Sequence, residues 1–347
     1  MAQARRHHYV SQFYLKRFTA NPSKPRLFVV DVIEKKTFRA DPKNVAFEKD
    51  FHTIDVSGQP SDVVETMLAR IEGDVAAAFK RIVGSCSLSN ENDRTQLLYF
   101  ATILLVKNPA QRAMMNAVTT QLMTTIAREQ AANAAAFTAR VQEMIATGDM
   151  PPDTDIEELR RSLLADRFDM TMGTASHLDI ELNNVPELLG YLLDRKWHIY
   201  RATEGHFVTS DRPVSLMWAD PSRTDPVGLG LRSTRVLFPL SSNIAIYGGF
   251  ELTDSVIELG ADKVAAVNGR TILNATRQIY ARESDFTYAL QHNGGPRDGS
   301  ALLSDEFIVR RAERANGDAF AAAKSQVMLV SGTDPRILDW LSHEEPS

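Results

Sequence analysis

The period of the apolar residues changes along the chain, and this change limits the fold more than any other feature. Val64, Leu68, Ile71, Val75, Phe79 and Ile82 recur at three- and four-residue steps, the spacing of one helix face. A second stripe, Leu97, Leu98, Ala101, Leu104 and Leu105, starts near Asn92 and meets Asn108-Pro109, where proline breaks or kinks a helix. Residues 110–147 are dense in Ala, Met and Gln and predict one long helix. MPPDTD (150–155) is the clearest punctuation, and helical spacing resumes at Ile156 and in PELLGYLLDR (186–195). From Trp197 the pattern is different. WHIYRA (197–202), HFVTSD (206–211), VSLMW (214–218), RVLFPL (235–240) and NIAIYGG (243–249) are short apolar or alternating runs, predicting the strands of one sheet.

Helical spacing returns over residues 261–282, with Val264, Val267, Ile272 and Ile279 on one stripe, and FIVRR (307–311) and VMLVSG (327–332) predict late strands. Near the start, RLFVVDV (26–32) and KKTFRA (35–40) predict a strand pair, with DFHTID (50–55) a third extended piece. The class is therefore α+β: a central, mostly helical block with N-terminal strands and a C-terminal, mostly antiparallel sheet. One mixed unit over residues 1–347 accounts for this, with a subdivision at 149/150 as the alternative.

With 347 residues, 44% of them apolar and 24% charged, the chain can bury a sizeable core. The net charge of -5 excludes a surface that is basic throughout, although the first 26 residues are basic. A single cysteine, Cys86, excludes an internal disulfide framework and a cysteine-built zinc site. No apolar run approaches the roughly 18 residues of a membrane span, and no apolar leader opens the chain, so a soluble, cytoplasmic protein with no membrane partner is expected.

The strong short motifs are absent: no GxxxxGK[ST], no GxGxxG after a strand, no GxSxG and no HExxH. Four constellations remain. In HHYVSQFYLKRF (7–18), His7, His8, Gln12 and Tyr14 share a side if residues 8–18 coil into a helix, and histidine is the natural acid–base group near neutral pH. Anchoring of the N-terminus by a half-buried histidine is the bland alternative. Glu65 and Glu72 lie two turns apart at one edge of the apolar stripe, placed for a cleft or simply solvated. In KNPAQR (107–112), Lys107 and Arg112 bracket the helix break; arginine forks a phosphate or carboxylate, or forms a structural ion pair. In FVTSDRPV (207–214), Asp211 ends a strand, a placement that suits catalysis and a turn equally.

HHYVSQFYLKRF resembles the opening signature of a bacterial family designated domain of unknown function 4238, whose members begin His-Tyr-x-Pro-x-x-Tyr-Leu-x-x-Phe. The DFHT segment, the helix of Glu65 and Glu72, the arginine after a helix-breaking proline, FVTSDRPV, FPLSS (238–242) and a late helix with Asn268 and Arg277 follow in the expected order. The resemblance runs to about residue 282. The chain departs from it at Ser11, in place of the proline, and at His52, in place of an aromatic. The resemblance links His8, Tyr14, Glu65, Arg112 and Asp211 without supplying a reaction.

These residues lead to an expected hydrolase acting on phosphodiester bonds, nuclease-like, with His8, Glu65, Arg112 and Asp211 catalytic. Gln12, Tyr14, Lys16 and Glu72 would bind ligand, and Glu65, Glu72 and Asp211 are the candidate ligands for Mg2+ or Mn2+. The basic, aromatic-interleaved start (Arg5, Arg6, Tyr9, Phe13, Tyr14, Lys16, Arg17) suits a single strand of nucleic acid, or a nucleotide, by charge and stacking. The rival is a non-catalytic binding or regulatory protein in which the same cluster is a structural ion network and the Met-rich helix, with Met114, Leu122, Met123 and Ile126, is the partner surface.

Overall fold

The computed structural model describes residues 6–53, 63–165, 172–223, 225–290 and 295–317. The chain opens with β1 (Arg6–His8), the one-turn helix α1 (Gln12–Leu15), the strands β2 (Leu27–Asp31) and β3 (Lys36–Ala40), and β4 (Phe47–Lys49). The helical stretch holds α2 (Val63–Ser85), α3 (Glu91–Val106), α4 (Pro109–Ala132), α5 (Ala134–Thr147), α6 (Ile156–Leu164) and α7 (Thr174–Leu193). Strands β5 (Lys196–Ala202), β6 (Thr209–Ser210), β7 (Ser215–Trp218), β8 (Thr234–Pro239), β9 (Ile244–Gly249) and β10 (Ser255–Leu259) follow. The last part runs α8 (Ala261–Asn274), β11 (Gln278–Ala281), β12 (Thr287–Tyr288), β13 (Arg297–Asp298) and α9 (Glu306–Gly317). The α+β class stands, and among the described residues no helix is long and apolar enough to cross a membrane.

The chain forms two compact units, one of Met1–Ala110 with Thr174–Ser347 and one of Gln111–Gly173. In the first, four of the five expected C-terminal runs, β5, β7, β8 and β9, join β10 in a five-stranded sheet of order β10-β5-β9-β8-β7, antiparallel except for the β10–β5 pair. The fifth run, HFVTSD, supplies β6 to a different sheet by pairing with β11. The N-terminal hairpin is not a separate feature. β2 pairs with β11, setting Val30 against Ile279, so that residues from the two ends of the chain share a four-stranded sheet of order β3-β2-β11-β6. Helices α2, α3 and α7 pack in sequence against one another.

An aromatic core joins these parts. Tyr14 stacks on Phe238 at 5.5 Å, and Phe13, Phe18, Phe79 and Phe100 surround it. Its hydroxyl meets Thr209 Oγ1 and the Pro239 carbonyl, each at 2.7 Å. Each such side chain contributes about 2 kcal/mol by leaving water, enough to tie down a chain start. Tyr14 is thus a core residue with its polar tip satisfied. Tyr14 and Phe18 of the opening stretch are buried in this core and present no face for stacking on bases, and the partly buried Tyr9 and Phe13 pack against it.

Several local expectations change. Residues 7 and 8 are extended in β1, paired to β4, and only Gln12–Leu15 coil into a helix. The long helix divides at Asn133, whose side chain accepts the Ala136 amide at 3.1 Å and so starts a new helix. MPPDTD connects α5 and α6 inside the second unit, whose small core holds Ala131, Phe137 and Val141. Ile279 belongs to β11, because α8 stops at Asn274. FIVRR is helical in α9: Asp305 accepts the Phe307 amide at 3.2 Å, and Glu306 pairs with Arg310 one turn on. Residues 50–53 of DFHTID form a turn, with Asp50 at φ 54°, while residues 54 and 55 and VMLVSG lie outside the described residues.

Candidate functional site

The polar cluster lies where β1 passes the first turns of α2 and the C-terminal end of α3. Pairing with β4 sets His7 opposite Glu48 and His8 opposite Phe47, so the two neighbouring histidines point to opposite sides of the strand. His7 and His52 are both buried, at 2% and 0% exposure, with rings stacked 5.3 Å apart and 9° from parallel. The His52 amide donates to His7 Nδ1 at 2.8 Å. That contact puts the proton of a neutral His7 ring on Nε2, which is buried without a hydrogen-bond partner among the described residues. A buried donor left this way costs about 1–3 kcal/mol.

His52 Nδ1 lies 3.0 Å from Glu65 Oε2. Burial pushes the Glu65 carboxyl up, but the hydrogen bond and charge of His52, with Lys107 and His7 behind them, outweigh it and hold the group below its usual range. The Glu65 side chain is 41% exposed, whereas the histidine pair beside it is buried.

Around this pair stand the other expected residues. The Ser11 hydroxyl donates to Glu72 Oε1. Burial, with the like charge of Glu65 adding to it, pushes Glu72 above the ordinary carboxylate value against the opposing pull of Lys107 and Ser11. Lys107, where Pro109 ends α3, donates from Nζ to the His8 carbonyl at 2.9 Å. Burial lowers His8 below 6.5, with Lys107 and Arg6 adding to it and the Lys43 backbone and Glu65 opposing. Gln12 reaches His8 Nδ1 at 3.5 Å. His8, Gln12, Glu65 and Glu72 therefore converge, joined by His7, Ser11, His52 and Lys107. Lys16 is exposed one turn beyond, and Arg17 lies over the Phe79 ring at 5.2 Å.

Asp211 is placed differently, and Arg112 belongs to the other unit. Asp211 holds a turn: Thr276 N donates to its carboxylate at 3.0 Å, Thr276 Oγ1 at 2.8 Å, Arg277 N at 2.7 Å and Gln278 N at 3.2 Å. Burial pushes this carboxyl up while the four donors pull it down, and burial prevails. Both oxygens are engaged in holding this turn. Arg112 is buried on α4, within the second unit.

Among the described residues, the groups spaced as metal ligands are His7, His52 and Glu65, with one ligand atom from each within 4.8 Å of the others. Of the carboxylates expected to hold Mg2+ or Mn2+, only Glu65 belongs to that set. The sequence carried a signal for His52, a polar residue where the resembled family has an aromatic. The pairing of Ser11 with Glu72, across 61 positions, had none.

A model of the family described as "Protein of unknown function (DUF4238)" matches residues 6–285. No curated protein and no solved structure matches the chain. The matched span starts at β1 and takes in every residue of the cluster, and the chain belongs to the DUF4238 family.

Proposed function

We propose that the cluster on β1, α2 and the end of α3 is the site of a hydrolase acting on phosphodiester bonds, with nucleic acid as the substrate class. The observation that carries this reading is the convergence of two glutamates, three histidines and a lysine from separate elements, with the His7 Nε2 nitrogen left without a hydrogen-bond partner. Enclosing such groups is costly unless they are fully paired, and incomplete pairing is typical of sites that await a ligand. Lys107, with the exposed Arg6 and Lys43 about His8, supplies positive charge for a phosphate. His8 and Glu72 are the candidates for moving protons.

The test is turnover of bis(p-nitrophenyl) phosphate and of labelled single-stranded oligonucleotides by the full chain, with Mg2+, Mn2+ or Zn2+. Hydrolysis that disappears in His8→Ala and Glu72→Gln, with the fold retained, supports the reading; no turnover under any condition overturns it. A structural ion network is favoured by one specific observation, the fully satisfied Asp211 turn, and we assign Asp211 that role.

A further inference from the structure

We infer that His7, His52 and Glu65 form a site for a divalent transition-metal ion of the Mn2+ to Zn2+ type. Its use in hydrolysis rests on the function proposed above; the binding itself does not. Two imidazoles and one carboxylate are a mixed nitrogen and oxygen set, which suits Mn2+, Co2+ or Zn2+ and is poor for Mg2+, an ion that demands oxygen. One ligand atom from each residue lies within 4.8 Å of the others, so little rearrangement separates the present contacts from a shared cation.

The placement of the three is also suitable. His7 sits on a strand held by β4, His52 is fully enclosed, and Glu65 occupies the first turn of α2. Two ligands are fixed by packing, and the third, half-exposed, faces solvent, which leaves an open side for water or a substrate oxygen. The present contacts are those that a cation replaces. The proton between His52 Nδ1 and Glu65 Oε2 leaves to solvent when the two atoms ligate an ion, and so does the proton on His7 Nε2, while His7 Nδ1 goes on accepting the His52 amide. Glu72 lies two turns along α2 from Glu65, and its like charge adds to the negative field at the site.

The experiment uses the full, tag-free chain after treatment with EDTA. Co2+ is titrated in and the visible d–d bands are followed, with melting curves recorded in Zn2+ and Mn2+. The expected result is a saturable Co2+ spectrum at one equivalent, a higher melting temperature with Zn2+, and a Co2+ affinity weakened about tenfold or more in Glu65→Gln. Because Glu65 is half-exposed, that variant folds even if His52→Ala does not. His198→Ala, on the five-stranded sheet, binds Co2+ like the unchanged chain. Absence of both the Co2+ bands and the Zn2+ shift overturns the inference, as does equal affinity in Glu65→Gln. Co2+ binding without phosphodiester turnover keeps the metal site and removes the hydrolase, whereas turnover that survives EDTA without Co2+ bands does the reverse.

Discussion

Asp211 and Glu72 are both carboxylates enclosed by the first unit, and in each case burial pushes the carboxyl above its usual range. Their surroundings differ. Asp211 receives four donors, three of them backbone amides of one turn, and its neighbour Asp31 is similarly filled by Arg277 Nε at 2.9 Å, Gln278 Nε2 at 2.8 Å and the Glu34 amide at 3.0 Å. Glu72 has one hydroxyl donor and a second glutamate on its own helix, and in the same cluster His7 Nε2 and His8 Nε2 are buried without a hydrogen-bond partner among the described residues. The first arrangement fixes where a chain turns. The second keeps polar groups at a cost in stability, as a binding site does. The number of donors around a carboxylate separates the two more clearly than its burial.

The largest effect that would test this contrast is at Asp211. Asp211→Asn sets an amide group against backbone donors, and thermal melting is expected to show a loss of about 3 kcal/mol. Asp31 comes next. Burial pushes its carboxyl up, but Gln278, the Glu34 amide and Arg277 outweigh that and hold it low. A depressed carboxyl stabilises the fold above about pH 4 and loses that contribution as the pH falls further. Asp31→Asn is expected to lose about 1–3 kcal/mol at pH 7 and to flatten the acid limb of the melting profile.

Tyr14→Phe leaves Thr209 Oγ1 and the Pro239 carbonyl without the buried hydroxyl, and is expected to cost about 1 kcal/mol, read by denaturant unfolding. The smallest effect has the opposite sign. The raised Glu72 carboxyl destabilises the fold as the pH climbs from its unfolded value through its folded one, so Glu72→Gln is expected to gain on the order of 0.5 kcal/mol at pH 7. That gain should vanish below about pH 4, where both side chains are neutral. A loss at Glu72 as large as the loss at Asp211 would erase the distinction.

Much of the fold was legible because it is written locally. The stripe from Val64 to Ile82 is α2, the Asn108-Pro109 break ends α3, and the runs after Trp197 are β5 to β9. What was not legible depends on partners far away. The pairing of Val30 with Ile279 spans 249 positions, and nothing in either segment names the other. FIVRR is too short for its period to separate strand from helix, and the Asp305 and Glu306 contacts settle it as a helix.

The site was half legible. His8, Glu65 and Glu72 could be named from residue type and resemblance. The stacking of His52 on His7 depends on a turn at residues 50–53 that brings the DFHT segment back to β1. Asp211 is the instructive residue: a strand-end aspartate reads alike as an acid and as a turn former, and only its four donors decide for the turn.

The most direct measurement is phosphodiester hydrolysis by Glu72→Gln beside the unchanged chain, on samples whose melting curves are recorded at the same pH. The account predicts a variant at least as stable as the unchanged chain with hydrolysis reduced by about a hundredfold or more. A variant that hydrolyses at the original rate, or one that unfolds as its activity falls, would contradict it.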